Sequence, residues 1–508
     1  MASAILRVAL ANKGRAALSL LGKTYSYGNL LASAQRQAQR IGARERGKDA
    51  CVVVLAESGP EYLIATWATW LSGMVAVPLS PSHPSKELEY FVKDCGAKAI
   101  LHCPSLEEKA RGLSSATGVG TDLVECADVG DVEVAAEALD LPGEEDGALL
   151  VYTSGTTGKP KGALHTHGSL EYQMRSMSEA WEWQRSDKIL HCLPLHHIHG
   201  MVNALHCAHF NAAHVEFLGS SFSPRRVWDA LAEDESISVF MGVPTMYAYL
   251  LSHLDRLKGS EGGGGASDLL YLKYVEAAKR LRLAVSGSSA CPVPVMQKWA
   301  GISGEVLLER YGMSETGMIL SNPLESGRRI VGTVGRPLPY VDVEVTEEGE
   351  LLVRSKCMMK GYYNKPKETE AAFVQVGGED YFKTGDSVAF DEASGVYTIK
   401  GRISADIIKH KGYKVSALDI ENVLLSHSCV KECAVVGVGH ELFGEAIVAV
   451  VVKNEEVGGL ESLGDLQALC KDHLADYQTP QRVEFRDEIP RNAMGKVNKR
   501  ELAKSISS

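Results

Sequence analysis

Several patterns that would place the chain in a specialised class are missing from its sequence. The 11 cysteines are odd in number and scattered, with no Cys-x-x-Cys pair, which argues against a disulfide framework or a cysteine zinc site. No apolar run reaches the roughly 18 residues of a membrane-spanning helix, so no membrane span is predicted. Acidic residues outnumber basic ones, 64 to 53, and the net charge of −11 argues against nucleic acid or an anionic membrane as the main partner.

The length and composition are those of an ordinary globular protein with more than one domain. At 508 residues the chain exceeds a single hydrophobic core, so about two to four domains are expected. Apolar residues make up 45% and charged residues 23%, as in soluble proteins. We expect a cytoplasmic protein, or a mitochondrial or plastid one if a presequence has been removed, and the oligomeric state stays open.

Strand patterns alternate with helical patterns through most of the chain. Short apolar runs such as residues 50–55, 74–79 and 99–102 precede segments of helical spacing. This order predicts an α/β fold, in which a large N-terminal domain has parallel-type sheets covered by helices on both faces. From residue 332 to about 400, short alternating strands predict a small antiparallel sheet or barrel, and a compact α+β segment follows. We therefore predict a large domain over residues 1–400, a hinge at 401–406 and a small mobile domain over 407–508.

Residues 149–162 combine an apolar strand with a loop suited to phosphate. The segment reads LLVYTSGTTGKPKG. Its glycines allow close approach of backbone N–H groups, its hydroxyls donate hydrogen bonds, and Lys159 and Lys161 supply charge. It is not the common P-loop, because its glycines are too closely spaced and Pro160 disfavours a helix at Lys159. A polar surface turn is the alternative interpretation.

Three further segments carry residue types that suit a nucleotide. Within ERYGMSET, which begins at Glu309, the flat ring of Tyr311 suits a base and the carboxylate of Glu315 suits a hard divalent ion. Asp386 ends a Thr-Gly-Asp turn, and its carboxylate can accept from two vicinal hydroxyls, while the guanidinium of Arg402 can span neighbouring acceptors. Lys496 lies in PRNAMGKVNKR near the C-terminus. Each segment alone also fits a capped loop, a common turn or a basic tail.

Together the four segments resemble the motifs of the adenylate-forming superfamily, which includes acyl-CoA synthetases, luciferases and peptide-synthetase adenylation domains. The resemblance extends from about residue 20 to about residue 503. It implies that ATP is bound with Mg²⁺, that Thr156 and Glu315 hold the metal, and that Lys496, Lys161 and Glu315 catalyse adenylation. The residues that the resemblance assigns to ATP are Thr153, Ser154, Gly155, Thr156, Thr157, Gly158, Lys159, Ser288, Glu309, Tyr311, Gly312, Ser314, Asp386 and Arg402.

The resemblance also implies that the small domain rotates between two half-reactions. One face brings Lys496 to the α-phosphate, where a positioned ammonium stabilises developing negative charge. The other face, which includes His410, Lys411, Gly412 and Tyr413, admits coenzyme A as the co-substrate. The pivot is expected at Ser404 or Ala405.

The acid is indicated by Arg310. The sequence Glu-Arg-Tyr-Gly-Met resembles the malonyl-CoA synthetases of this superfamily, and a buried guanidinium at the acyl site requires an anion such as a second carboxylate. His199 supports this interpretation, since its imidazole can donate to a carboxylate, and Ser286 and Met313 complete the predicted acid site. The alternative is that Arg310 pairs with Glu309 or another structural acid.

The expected activity is conversion of malonate, ATP and coenzyme A into malonyl-CoA, AMP and diphosphate through a malonyl-adenylate. Methylmalonate is expected as a secondary substrate, because an apolar wall discriminates poorly against one methyl group. Two alternatives remain open. The chain is a CoA ligase for oxalate, succinate or a monocarboxylate, or it is a non-catalytic protein that binds an acyl-adenylate.

Overall fold

The computed structural model describes residues 3–41, 49–126, 141–153, 159–219, 221–258, 266–455, 457–471, 473–491 and 497–507. Residues 154–158 of the phosphate-binding motif and Lys496 therefore lie outside the described residues. No helix in the described ranges is long and apolar enough to cross a membrane.

The described residues form strands and helices that alternate along most of the chain. The strands are β1 (Ala16–Leu20), β2 (Lys23–Ser26), β3 (Cys51–Leu55), β4 (Val75–Pro78), β5 (Ala99–His102), β6 (Thr121–Leu123), β7 (Gly147–Thr153), β8 (Lys161–Thr166), β9 (Lys188–His191), β10 (His214–Phe217), β11 (Val239–Gly242), β12 (Leu283–Ser286), β13 (Leu308–Met313), β14 (Gly317–Ser321), β15 (Arg336–Pro337), β16 (Val341–Val345), β17 (Glu350–Ser355), β18 (Gly361–Tyr362), β19 (Phe373–Val376), β20 (Glu379–Asp391), β21 (Val396–Arg402), β22 (Ile407–His410), β23 (Tyr413–Ser416), β24 (Val430–His440), β25 (Gly444–Lys453) and β26 (Arg482–Phe485). The α-helices are α1 (Ala4–Ala11), α2 (Tyr27–Ile41), α3 (Pro60–Leu71), α4 (Ser85–Asp94), α5 (Glu107–Thr117), α6 (His167–Ala180), α7 (Cys207–Phe210), α8 (Pro224–Glu233), α9 (Pro244–Lys258), α10 (Ala266–Arg280), α11 (Val293–Ser303), α12 (Pro366–Ala371), α13 (Ala417–Leu425), α14 (Leu463–Cys470) and α15 (Lys499–Ser507), and a π-helix (His199–His206) precedes α7.

The first sheet has seven strands and ends beside the phosphate-binding motif. Its order is β18-β8-β7-β4-β3-β5-β6, and the strands from β7 to β6 are parallel. Every residue of β3 is buried, as expected for a strand with parallel neighbours on both sides and helices over both faces. The edge strands β8 and β18 are antiparallel, and Thr153 pairs with Lys161. The predicted loop is therefore shorter than the motif indicates, because Lys161 and Gly162 belong to β8.

The second sheet has nine strands and carries the segments that follow the phosphate-binding motif. Its order is β15-β14-β13-β12-β11-β9-β10-β1-β2, with parallel pairs from β13 to β1 and antiparallel pairs at both edges. The prediction of parallel-type sheets is thus confirmed for the interior strands, while the edges are antiparallel. Ser286 at the end of β12 pairs with Glu309 on β13. Ligands bind at such carboxyl ends in α/β sheets, so this register gathers candidate site residues.

The third sheet is the small antiparallel sheet that the sequence predicts. Its order is β16-β17-β20-β19, and β21 pairs with β20. Asp386 on β20 lies opposite Arg402 on β21, so the register brings together two residues that are distant in sequence.

The C-terminal part forms a small α+β domain with its own apolar core. β23, β22, β25 and β24 are antiparallel, and β26 adds in parallel to β25. Helix α13 begins after Ser416, whose hydroxyl accepts a hydrogen bond from the Asp419 N–H. The last strand of the third sheet ends at Arg402 and β22 begins at Ile407. The exact boundary and the pivot residue stay predictions.

Candidate active site

Arg310 lies inside the large domain and has no acidic partner in the part of the chain that the structure describes. Only 3% of the residue is exposed. Its Nε and Nη2 atoms have no hydrogen-bond partner among the residues that the structure describes. Burial lowers the pKa of the guanidinium to about 9, so the group is still a cation at neutral pH. A buried cation without a counter-charge is costly, and this cost favours binding of an anion.

Glu309 does not neutralise Arg310, although the two residues are neighbours in sequence. Successive side chains of a strand point to opposite faces, so on β13 the side chains of Glu309 and Arg310 diverge. The Glu309 Oε1 atom accepts a hydrogen bond of 2.7 Å from the Cys291 N–H. Burial raises the pKa of the Glu309 carboxyl to about 8. No ion pair joins Arg310 to Glu309 among the described residues, where the Glu309 carboxyl accepts from a backbone amide. The contact of Glu309 with ATP stays a prediction.

The backbone of the turn after β12 packs against the Arg310 guanidinium. A β-carbon built on Gly287 would lie 2.5 Å from the Arg310 Cζ atom and 2.7 Å from Nε, so this backbone is in direct contact with the charge. Ser286 is buried, and its hydroxyl has no partner within the described ranges. Ser288 has a φ of 73°, a left-handed conformation that is strained for a serine.

His199 contacts the same turn through Ser288. Its Nδ1 atom lies 3.0 Å from the Ser288 hydroxyl, and only 4% of the residue is exposed. His199 is the first residue of the π-helix, a form that is found frequently at functional sites. The structure therefore brings together a cation, two hydroxyls and an imidazole, which are groups that bind a carboxylate.

The segment after Arg310 folds as a tight hairpin between β13 and β14. A side chain on Gly312 would collide with the Gly317 backbone and with Met318. The Ser314 carbonyl accepts a hydrogen bond of 2.7 Å from His165 Nε2, and burial lowers the pKa of this histidine to about 4, so it is neutral. Met313 packs beside a small apolar cluster of Ala163, Met359 and Phe382. These contacts fix the loop between Arg310 and Glu315.

Three predicted nucleotide residues form one connected network. The Tyr311 hydroxyl donates to Asp386 Oδ2 at 2.5 Å, and Arg402 Nε lies 2.9 Å from Asp386 Oδ1. Arg402 also donates to the Thr384 carbonyl at 2.7 Å. Burial and the adjacent Asp386 carboxylate raise the pKa of the Tyr311 phenol well above its ordinary value. Motifs that are far apart in sequence therefore meet at this point.

The phosphate end contains two lysines and a carboxylate beside aromatic rings. The Lys159 Nζ atom lies 5.4 Å from the centre of the Tyr90 ring, and Lys161 Nζ lies 4.5 Å from the centre of the Tyr362 ring. The Tyr362 hydroxyl donates to Glu315 Oε1 at 3.0 Å.

Glu315 fits a role as a Mg²⁺ ligand. Only 8% of the residue is exposed, and its carboxylate has no cationic partner among the residues with described positions. Mg²⁺ is usually bound by one or two carboxylates together with substrate phosphates. No group of three or more metal-ligating side chains occurs in the described part of the chain. The second predicted metal ligand, Thr156, lies outside it.

The residues predicted to admit coenzyme A form a hairpin turn of the small domain. Lys411 and Gly412 join β22 to β23 with φ values of 49° and 83°, as in a two-residue hairpin turn. Tyr413 is 53% exposed and stacks on Tyr477 with ring centres 4.3 Å apart. His410, by contrast, is fully buried, and its Nδ1 atom lies 2.7 Å from the Glu445 carbonyl. The side chain of His410 therefore does not share the exposed face of the other three residues.

Two residues of the site were missed by the sequence analysis. Tyr362 contacts both Lys161 and Glu315, but it lies in a short Gly-Tyr-Tyr segment with no charged or repeated pattern. Gly287 was not singled out beside its neighbours Ser286 and Ser288, and its contact with Arg310 depends on the register of β12 and β13. A glycine directly after a buried strand was the available signal for close backbone approach.

Comparison with known protein families gives two matches. Residues 6–363 match the model described as AMP-binding enzyme, and residues 419–496 match the model described as AMP-binding enzyme C-terminal domain. The two matches together cover most of the chain and leave out the segment that contains the predicted hinge.

Individual proteins resemble the chain over nearly its whole length. A malonate–CoA ligase from Arabidopsis thaliana is 39% identical over 544 residues, covering 97% of this chain and 86% of that protein. The crystal structure of ATP-bound MatB from Rhodopseudomonas palustris has a TM-score of 0.86 and 29% identity, covering 100% of this chain and 99% of that one. A malonyl-CoA ligase in a ternary product complex with methylmalonyl-CoA and AMP has a TM-score of 0.65 and 32% identity, covering 94% and 97% of the two chains.

Proposed function

Because the chain belongs to the family of AMP-binding enzymes, we propose that it is a malonate–CoA ligase. The reaction converts malonate, ATP and coenzyme A into malonyl-CoA, AMP and diphosphate. The observation that carries the choice of acid is the buried guanidinium of Arg310, whose Nε and Nη2 atoms have no hydrogen-bond partner among the described residues. The names of the similar proteins from Arabidopsis thaliana and of the ternary product complex support the same substrate.

A second carboxylate explains the acyl end better than an apolar acid does. The distal carboxylate of malonate accepts from the Arg310 guanidinium, and Ser286 and His199 complete its hydrogen bonds. A monocarboxylate of similar size would leave the buried cation unpaired, and an unmade bond to a buried charged group carries a large penalty. We expect methylmalonate as a secondary substrate, because one extra methyl group changes binding only modestly.

In the first half-reaction the reacting carboxylate of malonate attacks the α-phosphorus of ATP. A carboxylate–phosphate bond forms, and diphosphate leaves. Lys159, Lys161 and Lys496 hold phosphate oxygens and stabilise the negative charge that spreads over them. A bound Mg²⁺, held by Glu315 and Thr156, would neutralise part of the charge of the triphosphate.

The adenosine part of ATP is oriented by the network of Tyr311, Asp386 and Arg402. Asp386 accepts from the ribose hydroxyls, and Tyr311 lies against the adenine. Arg402 is held by Asp386 at 2.9 Å and by the Thr384 carbonyl, and its other N–H groups are left to donate to the ribose and phosphate.

In the second half-reaction the thiol of coenzyme A attacks the malonyl carbonyl, and AMP leaves. The thiols of Cys192 and Cys291 are assigned no part in this transfer. Burial raises the pKa of Cys192 to about 12 and also raises that of Cys291, so neither is a thiolate at neutral pH. The small domain is proposed to rotate about Ser404 or Ala405 and to present the turn around Lys411 and Tyr413 to coenzyme A.

A panel of short acids tests this function. The purified protein is given ATP, Mg²⁺ and coenzyme A with malonate, methylmalonate, oxalate, succinate, acetate or butyrate, and thioester and AMP are measured. We expect malonate to give the highest kcat/KM and methylmalonate the next. A preference for butyrate or succinate would contradict the assignment of malonate. Absence of diphosphate exchange with every acid would favour a non-catalytic protein that binds an acyl-adenylate.

A further inference from the structure

Tyr362 is fixed at the edge of the seven-stranded sheet, beside the phosphate end of the site. It forms β18, and its Cα pairs in register with Ala163 on β8, two residues after Lys161. Its N–H donates to the Thr369 hydroxyl at 2.9 Å. Tyr362 is therefore held by its backbone, independently of the contacts that its side chain makes.

The side chain of Tyr362 contacts two oppositely charged residues of the site in two different ways. Its hydroxyl donates to Glu315 Oε1 at 3.0 Å, and its ring lies 4.5 Å from the Lys161 ammonium. A phenol offers a hydrogen-bond donor to an anion at its tip and a negative π-face to a cation. Tyr362 therefore makes a favourable contact with both Glu315 and Lys161, and the two charged groups need not pair with each other.

Lys161 and Glu315 do not form an ion pair with each other, although both contact the same side chain. Neither of them has an ion-pair partner within 4.0 Å in the described ranges. A direct ion pair would direct the ammonium away from phosphate oxygens and occupy the carboxylate that is suited to a divalent ion. The lysine side chain is flexible, and the Tyr362 side chain contacts both charged groups.

We propose that Tyr362 is a positioning residue that keeps Lys161 and Glu315 apart and presents both to the metal-bound triphosphate. This inference rests on the proposed function, which assigns Lys161 and Glu315 to ATP and Mg²⁺. Tyr362→Phe removes the hydroxyl and keeps the ring beneath Lys161. Tyr362→Leu removes both contacts and allows Lys161 to pair with Glu315.

Binding of ATP measured by titration calorimetry, with Mg²⁺ and with EDTA, tests the inference. The adjacent Tyr363→Phe is the matched control, because the Tyr363 hydroxyl donates to the Asp49 carbonyl at 3.1 Å and makes no contact with Glu315. We expect Tyr362→Phe to weaken ATP binding with Mg²⁺ about tenfold, the size of a lost hydrogen bond to a charged group, and to change binding in EDTA little. Tyr362→Leu should weaken binding further in both conditions, because the Lys161 ammonium is also diverted.

A second measurement separates positioning from a general structural effect. Electron paramagnetic resonance of Mn²⁺ in the presence of ATP should show about tenfold weaker metal binding by both Tyr362 variants. The KM for malonate and the thermal midpoint should stay near those of the Tyr363→Phe control. If Tyr362→Leu fails to fold, Tyr362→Phe still tests the bond to Glu315, since the ring and its packing are kept.

The outcomes distinguish this inference from the proposed function. If the wild-type protein makes malonyl-CoA and both Tyr362 variants bind ATP and Mn²⁺ as tightly as Tyr363→Phe does, the inference is wrong and the function stands. If the wild-type protein activates no acid, the function is wrong, and the titrations with ATP and Mn²⁺ still decide the role of Tyr362.

Discussion

The two ends of the proposed active site handle their polar groups in opposite ways. At the nucleotide end, Tyr311, Asp386 and Arg402 bond to one another at 2.5 and 2.9 Å. At the acyl end, two nitrogens of Arg310 and the hydroxyl of Ser286 have no partner among the described residues. The nucleotide end is thus stable before ATP arrives, whereas the acyl end keeps a desolvation penalty that an anion relieves. The difference indicates that selectivity for the acid resides in the end that is left unsatisfied.

Removal of the Arg310 cation should have the largest effect, because it takes away the group at the acyl end that an anion would pair with. We expect Arg310→Leu to lower kcat/KM for malonate by about 10²–10³-fold, because a buried charge that pairs with the substrate is lost. Butyrate should become the better substrate. The thermal midpoint should stay the same or rise, since no partner is left unpaired. Unchanged turnover of malonate in the acid panel would remove the dicarboxylate assignment.

Disrupting the self-paired network should affect the other substrate. Asp386→Asn removes the charge that holds Arg402 and leaves one oxygen in place of the two that accept from Tyr311 and Arg402, so we expect the KM for ATP to rise about 10–30-fold. The KM for malonate should change by less than about twofold, because a substitution has little effect on a site with which it shares no partners. Steady-state kinetics with each substrate varied in turn measure the split, and an equal rise in both KM values would show that the two ends are coupled.

A smaller change at the acyl end sharpens the contrast without removing a charge. In Gly287→Ala the new methyl group would collide with the Arg310 guanidinium, so the guanidinium must shift. We expect the KM for malonate to rise about five- to tenfold, which is a cost of about 1 kcal/mol, with no change for ATP. The matched control is Gly301→Ala in α11, where nothing lies within 4 Å of the added atom. Identical kinetics for the two variants would show that Gly287 does not determine the position of the Arg310 guanidinium.

The smallest expected effect is on stability, and it concerns the buried carboxyl of Glu309, the residue next to Arg310. The pKa of Glu309 is raised from 4.5 to about 8, so the folded protein holds a proton that the unfolded chain releases between these values. The free energy of unfolding should therefore fall as the pH rises through this window. Glu309→Gln keeps an acceptor for the Cys291 N–H and should flatten the curve, with a thermal midpoint about 2 °C higher at pH 8. Parallel curves for the two proteins between pH 5 and about 8.5 would contradict this assignment.

Sequence periodicity was sufficient for the order of the elements but not for the sheet edges. The buried run of β3 indicates a parallel interior strand, since every residue of it is apolar. The antiparallel pairing of β7 with β8 depends on how the chain reverses between Thr153 and Lys161, and composition does not encode that reversal. The divergence of Glu309 and Arg310 follows from their places on β13, where side chains alternate between the two faces.

For the active site, too, the sequence predicted some features and not others. The resemblance to a known superfamily assigned Tyr311, Asp386 and Arg402 to one nucleotide, and in the structure these residues contact one another. Their bonds to one another, and the contact of Gly287 with the guanidinium, depend on distances between strands and could not be predicted. The inward side chain of His410 was missed for a related reason, since alternation on β22 buries it whereas the adjacent turn is exposed.

The π-helix from His199 to His206 makes the length of that segment as important as its composition. A π-helix holds more residues in each turn than the α-helix that follows it, and it is commonly a local feature inside an α-helix. Deleting one residue, for instance Val202, would allow the segment to rewind as an ordinary helix and would swing the imidazole of His199 away from Ser288. Transferring the histidine alone to a related scaffold with a regular helix would consequently not reproduce its contact with the serine turn.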